Sequence, residues 1–239
     1  MSGAATIWHD VECGGYDADL RLWEEMAGDA QGTVLELGCG TGRVALHLAR
    51  RGQPTVGLDL DAELVATLLE RGRGLPVEGL VGDARDPDLR PGIALALAPM
   101  QLVQLLASPE DRARCLRAVA ASLRPGGRFA AAIVERVPEP VDGPPPIPDV
   151  RELEGWVYSS LPVGVDVEGG EIAIRRLRQT VSPAGELSEE PSEVRLQELS
   201  AERLEAEAAE AGLLPLGRRA TPPTDLHVGS TVVVLGKEG

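Results

Sequence analysis

Short apolar runs alternate with amphipathic segments through the first half of the chain. Runs with the length of buried strands lie at residues 34–37, 56–60, 75–81, 93–98 and 128–135. Segments with apolar residues at helical spacing lie between them, at residues 43–51, 61–71 and 112–122. A strand followed repeatedly by a helix is typical of an α/β domain built on a parallel sheet.

The pattern changes in the second half, where alternation replaces helical spacing. Residues 163–167 and 172–174 alternate, and Gly169-Gly170 between them fits a two-residue hairpin turn. A third strand is expected at about residues 193–199. The proline-rich segment 137–149 (VPEPVDGPPPIPD) precedes this region and reads as a stiff connector. These features predict an inserted antiparallel sheet.

Residue patterns at both ends of the chain predict helices and strands. Leu20, Trp23 and Ala27 share one helix face, which predicts a helical cap over residues 1–32. Near the other end, residues 200–211 predict a helix capped by Ser200 and stopped by Gly212. Residues 213–219 and 230–237 then predict a closing hairpin.

Composition narrows the function classes. The formal charge of −15 opposes phosphate backbones and anionic lipid, so neither a nucleic acid nor a membrane is expected as a partner. No apolar run approaches the roughly 18 residues of a membrane span, and no leader pattern precedes the first helix. We therefore expect a cytoplasmic protein. Cys13, Cys39 and Cys115 are scattered, and their spacing suggests neither a disulfide framework nor a metal site.

A glycine-rich loop and two acids form the candidate site. The loop after the first strand holds Gly38, Gly40 and Gly42, so a ligand can lie against bare backbone. Asp59 ends the second strand about 20 residues after the glycines, where an acid accepts from ribose hydroxyls in nucleotide-binding folds. Asp83 follows the third apolar run, where it could accept from an exocyclic amine.

These motifs together resemble the class I S-adenosylmethionine-dependent methyltransferases. The resemblance rests on ELGCGTG at residues 36–42, Asp59, GDA at residues 82–84 and LRPGGR at residues 123–128. It covers residues 33–134. It implies a doubly wound, mostly parallel seven-stranded Rossmann-like sheet with one antiparallel strand, in addition to the inserted sheet.

The resemblance also implies a set of site residues. Glu36 and the glycine loop would hold the methionine part of S-adenosylmethionine, Asp59 the ribose, Leu60 the adenine face, and Asp83 with Ala84 the adenine amine. The full set of expected cofactor residues is Tyr16, Glu36, Gly38, Cys39, Gly40, Asp59, Leu60, Asp83, Ala84, Ala98 and Met100. Gln101, Glu135 and Trp156 are the acceptor candidates. No general base is assigned, and His9 is interpreted as structural or exposed.

The expected function is methyl transfer to an oxygen, nitrogen or carbon atom of a small molecule. We expect a cap at 1–32, a cofactor-binding domain at 33–136 and 200–239, and an insertion at 137–199 that either roofs the acceptor or forms a homodimer interface. A nicotinamide-dependent oxidoreductase is one alternative, although Arg43 replaces the third glycine of GxGxxG. A cofactor-binding module without turnover is another.

Overall fold

A seven-stranded sheet forms the centre of the computed structural model, which describes residues 3–86, 89, 91–137, 146–224 and 227–239. The strand order is β10-β11-β5-β4-β1-β2-β3. The strands are β1 (Val34–Leu37), β2 (Thr55–Asp59), β3 (Val77–Val81), β4 (Ile93–Ala98), β5 (Leu123–Ile133), β10 (Leu213–Thr221) and β11 (Ser230–Lys237).

Burial explains why these segments form strands at the middle of the sheet. β1 and β4 are buried along their whole length, as expected for strands covered by helices on both faces. β1 pairs in parallel with β2 and β4, while β11 runs antiparallel to both β5 and β10. The predicted mostly parallel sheet with one antiparallel strand is confirmed.

A second, antiparallel sheet contains four strands in sequence order: β6 (Asp149–Leu153), β7 (Trp156–Glu168), β8 (Glu171–Val181) and β9 (Leu187–Gln197). Gly169 and Gly170 have φ of 64° and 85°, which is the conformation of a type I′ hairpin turn. The inserted sheet is confirmed, but the sequence prediction omitted β6 and began β9 six residues too late. Residues 138–145, most of the predicted proline-rich connector, lie outside the described residues.

Seven helices are described: α1 (Ala4–Glu12), α2 (Leu20–Gly28), α3 (Arg43–Ala49), α4 (Ala62–Arg71), α5 (Leu102–Leu105), α6 (Pro109–Ser122) and α7 (Ala201–Glu210). The side chains of Asp61, Ser108 and Ser200 cap α4, α6 and α7. α2 is the predicted cap helix, and its Trp23 is fully buried with the indole N–H donating to Asp19. The described part of the chain contains no helix with the length and apolarity of a membrane span.

α1 joins the two sheets. Arg71 of α4 and Arg151 of β6 both bind the carboxylate of Asp10. Two residues further along α1, Arg178 of β8 binds Glu12 through Nε and Nη2, each at 2.8 Å. The N-terminal helix is therefore fixed by ion pairs to α4 beside the seven-stranded sheet and to the inserted sheet at the same time.

Candidate functional site

A cavity of about 460 Å³ lies at the carboxyl ends of β1, β2 and β4. In an open α/β sheet this edge is where ligands bind. Eight of the residues expected from the sequence line it: Glu36, Gly38, Cys39, Asp59, Leu60, Asp83, Ala84 and Met100.

The glycine loop after β1 leaves no room for side chains. Gly38 and Gly40 have φ of 66° and 53°. A Cβ on Gly38 would lie 2.7 Å from Leu102 Cδ1, and one on Gly40 would lie 1.9 Å from Nε2 of His9. The loop therefore requires glycine for both its conformation and its contacts. The backbone surface that it offers suits a compact, hydrogen-bonding ligand group such as the amino-acid end of a nucleoside cofactor.

Asp59 holds that loop in place from the next strand. Its Oδ2 accepts from the amide of Gly40 at 2.8 Å, and its Oδ1 accepts from the amide of Asp61 at 3.0 Å. Each carboxylate oxygen can accept a second hydrogen bond. Asp59 therefore has the capacity to receive the two hydroxyls of a ribose while it keeps both backbone contacts.

Glu36 is the buried acid of the cavity. Its Oε2 accepts from the amide of Ala45, in the first turn of α3, at 2.7 Å. Burial raises the pKa of Glu36 to about 8, against a smaller opposing effect of the Arg43 guanidinium. The carboxyl is protonated at neutral pH in this structure, and an ammonium group placed beside it would favour its ionisation.

Asp83 and Arg85 form a bidentate pair at the adenine end of the expected site. Arg85 Nε lies 2.9 Å from each Asp83 oxygen, and the Arg85 amide also donates to Oδ1 at 2.9 Å. Hydrogen bonds from Arg85 hold the pKa of Asp83 below its ordinary value. The carboxylate is therefore ionised and fixed in orientation.

The chain turns sharply where β4 ends. Met100 and Gln101 both have left-handed backbone conformations, with φ of 49° and 62°. Consecutive non-glycine residues in this region are strained, and such strain concentrates at functional sites. Met100 separates the main cavity from a smaller one of about 70 Å³ that Tyr16, Gln101 and His227 line.

The remaining candidates lie elsewhere. Ala98 is buried at the end of β4, and Gly40 is covered by His9. Glu135 accepts from the amide of Ala201 at 2.9 Å and from the hydroxyl of Thr231 at 2.7 Å, so its carboxylate joins α7 to β11. Trp156 starts β7 and is 40% exposed, away from the described walls of both cavities. The roles proposed for these residues stay predictions.

Several cavity residues were not anticipated: His9, Cys13, Arg43, Arg85 and Leu102. His9 and Cys13 are four residues apart, so they share one face of the N-terminal helical segment. Burial raises the pKa of the Cys13 thiol to about 11 and raises that of Cys39 as well, so both thiols are neutral. Neither thiol is suited to act as a nucleophile.

Comparison with known proteins agrees with this geometry. Residues 34–127 match the family model described as a methyltransferase domain. A curated S-adenosyl-L-methionine-dependent Diels–Alderase from Talaromyces variabilis is 33% identical over 130 residues, which are 51% of this chain and 44% of that protein. A ubiquinone biosynthesis O-methyltransferase from Aeromonas salmonicida is 31% identical over 113 residues, 44% of each chain. The chain thus spans 44% of the length of these curated relatives.

Solved structures extend the likeness to the whole chain. A sugar N-methyltransferase from Streptoalloteichus sp. superposes with a TM-score of 0.78 at 19% identity, covering 100% of this chain and 94% of that one. An S-adenosylmethionine-bound amino pentose methyltransferase from Micromonospora echinaspora gives 0.73 at 20% identity, with 97% and 96% covered. At such identity these two likenesses concern the fold.

The matched segment, the strand order and the glycine loop are all consistent with the class I S-adenosylmethionine-dependent methyltransferase domain that the sequence motifs resemble. The match covers residues 34–127, which is less than half of the chain, and it agrees with the resemblance inferred from the sequence motifs.

Proposed function

We propose that this chain transfers the methyl group of S-adenosylmethionine to a small molecule. The proposal rests on the cavity in which the glycine loop, Asp59 and Asp83 meet. These residues lie inside the segment that matches the family model. Glu36 and the loop would hold the methionine part, Asp59 the ribose, Leu60 the adenine face, and Asp83 with Ala84 the adenine amine. The residues present fit that cofactor, because a bare backbone surface and two correctly spaced carboxylates face one cavity.

A nitrogen atom is the favoured point of attack. The two solved neighbours are a sugar N-methyltransferase and an amino pentose methyltransferase, which supports an amine acceptor of the amino-sugar type for this chain. S-adenosylmethionine supplies a methyl group that is already activated by the sulfonium. The protein then needs mainly to align the acceptor and exclude water.

One curated relative favours a second candidate function, a reaction that needs bound S-adenosylmethionine but releases no S-adenosylhomocysteine. A Diels–Alderase that depends on S-adenosylmethionine implies that a domain of this kind can use the cofactor for another reaction. Incubation with S-adenosylmethionine and a panel of amino sugars, free and nucleoside-diphosphate-linked, tests the two. We expect S-adenosylhomocysteine and a methylated amine in equal amounts by mass spectrometry. Cofactor binding by calorimetry without any S-adenosylhomocysteine would favour the second candidate, and binding of NADPH alone would contradict both.

A homodimer formed through the inserted sheet and a cytoplasmic location stay predictions of the sequence. The ties from α1 to the inserted sheet favour the alternative use of that sheet, as a roof over the acceptor.

A further inference from the structure

His9 separates two cavities. It lines the cofactor cavity, and it also lines a groove of about 410 Å³ between α1 and the inserted sheet. This groove, the α1 groove, is bounded by Ala4, Ala5, Trp8, His9, Glu12, Cys13, Arg178 and Glu190. A molecule lying in the α1 groove would therefore meet the cofactor cavity at His9 and Cys13.

Hydrogen bonds to Thr41 determine which nitrogen of His9 carries the proton. Arg71 and Thr41 hydrogen-bond the Asp10 carboxylate and hold its pKa below the ordinary value, although burial acts in the opposite direction. An ionised carboxylate only accepts, so the Thr41 hydroxyl donates to Asp10 at 2.7 Å. The hydroxyl oxygen is then the acceptor for Nδ1–H of His9, 3.3 Å away. This arrangement leaves Nε2 with its lone pair free.

Burial keeps His9 neutral. It lowers the pKa of His9, and Arg43 and Arg71 act in the same direction, while the carboxylates of Asp10 and Asp59 oppose them. The other titratable groups that line the cofactor cavity are Glu36, whose own pKa is raised, the neutral thiols of Cys13 and Cys39, and the ion pair of Asp83 and Arg85. An unprotonated imidazole at neutral pH is the form that can receive a proton.

The α1 groove suits a cationic ligand. Its walls bring the carboxylates of Glu12 and Glu190 together with the guanidinium of Arg178, and because Arg178 pairs with Glu12, Glu190 is the acid that remains to attract a cation. Trp8 adds an aromatic face, over which Arg178 already lies at 5.0 Å from the ring centroid. Aromatic faces and carboxylates are the groups that attract ammonium ions.

We propose that Nε2 of His9 accepts the proton of an ammonium-bearing acceptor held in the α1 groove, with the Asp10–Thr41–His9 chain fixing the required tautomer. This proposal rests on the methyl transfer proposed above. In the step, the acceptor N–H bond breaks, its electron pair stays on nitrogen, and the proton binds Nε2. The freed pair forms the N–CH₃ bond, and the electrons of the broken C–S bond remain on sulfur. The imidazolium returns its proton to solvent.

The tautomer is tested on the protein alone, by ¹⁵N NMR of the histidine side chains. At pH 7 we expect Nδ1 of His9 to be protonated and Nε2 to be unprotonated. In Thr41→Val, which removes the acceptor for Nδ1–H, the share of the Nε2–H form should increase. A cationic His9 at pH 7, or Nε2–H in the wild-type protein, would overturn the proposal.

The proton transfer is tested with His9→Asn, since the asparagine amide can still donate to Thr41 but is not basic. With an amino-sugar acceptor, we expect kcat to fall at least about 100-fold. The acidic limb of the wild-type kcat–pH profile should disappear, and the Kd for S-adenosylmethionine, measured on the same variant, separates a loss of proton transfer from a loss of cofactor binding at this cavity wall. His47→Asn is the matched control and should leave kcat unchanged, because His47 lies on α3 and pairs with Glu24 of α2.

Different experimental results would contradict the role of His9 and the proposed function. Unchanged kcat and an intact acidic limb in His9→Asn, in a wild-type protein that methylates amines, would contradict the role of His9 alone. A wild-type protein that releases no S-adenosylhomocysteine with any amine would contradict the proposed function, and the role of His9 with it.

Discussion

The amide of Gly40 donates to the carboxylate of Asp59 across 2.8 Å, which joins the glycine loop after β1 to the end of β2. The two sequence motifs assigned to different parts of the cofactor are therefore one physical unit. A change at Asp59 acts on the loop as well as on the ribose position.

Asp59→Ala should weaken binding of S-adenosylmethionine at least about tenfold, because a charge-assisted hydrogen bond contributes on the order of 1.5–3 kcal/mol. Isothermal titration calorimetry provides the measurement. Asp59→Asn is the matched control, since its amide oxygen can still accept from Gly40, and it should lose less affinity. Equal affinity in the alanine variant and the wild-type protein would place the ribose elsewhere.

Glu36 should make the stability of the cofactor-free protein depend on pH. Burial raises its folded-state pKa to about 8, above the ordinary value of 4.5. The folded state therefore binds a proton more tightly than the unfolded state does. The resulting stabilisation is fully present below about pH 4.5 and is lost as pH rises through 8.

Urea unfolding of wild type and Glu36→Gln at pH 6 and pH 8 measures this effect. Glutamine can accept from Ala45 but cannot ionise. The wild-type free energy of unfolding should fall by roughly 2 kcal/mol relative to the variant between these pH values. Parallel pH dependence in the two proteins would show that Glu36 ionises normally.

Loss of the ion pair between Arg112 of α6 and Glu207 of α7 should lower the free energy of unfolding strongly. The Arg112 side chain is 2% exposed, and its Nε and Nη2 donate to Glu207 at 2.7 and 2.8 Å. Glu207→Ala leaves a buried guanidinium unpaired and should cost about 3–5 kcal/mol of unfolding free energy.

Arg203→Ala is the matched control, because Arg203 binds the same carboxylate from an exposed position. Its cost should stay below about 1 kcal/mol. Both values come from chemical denaturation monitored by circular dichroism. Similar costs for the two variants would mean that burial does not set the strength of the Arg112 pair.

Arg85 should act on the cofactor through Asp83. Arg85→Ala removes three side-chain hydrogen bonds that orient the Asp83 carboxylate, so affinity for S-adenosylmethionine should fall severalfold in a fluorescence or calorimetric titration. Arg114→Ala, at an exposed arginine that lies 3.8 Å from Asp86, should bind normally. Tighter binding in Arg85→Ala would instead mean that Arg85 competes with the adenine amine.

The central sheet was predictable because its signals are local. The apolar run of β4, the positive-φ glycines and the turn at Gly169-Gly170 each determine structure within a few residues. The number of strands and the single antiparallel strand were then expected from the resemblance to a known family. The missed strand β6 had a weaker signal, since its turn to β7 uses Glu154-Gly155 in place of the usual Asn-Gly.

His9 could not be placed from the sequence, because its position depends on distant contacts. α1 lacks a side-chain N-cap, and partners 61 and 166 residues away hold its Asp10 and Glu12. Without those contacts in view, one histidine in a short helix gives no indication of the cavity it faces. The place of a residue at the edge of a sheet can be predicted from the sequence pattern, whereas its contacts across a tertiary interface cannot.

The ion pairs that join α1 to both sheets limit how the inserted sheet can be exchanged. Grafting a relative's inserted sheet onto this chain would remove Arg151 and Arg178, which leaves Asp10 with Arg71 and takes the ion pair from Glu12. A working chimaera therefore has to take its first helix and its inserted sheet from the same parent, although more than 130 residues separate them in sequence.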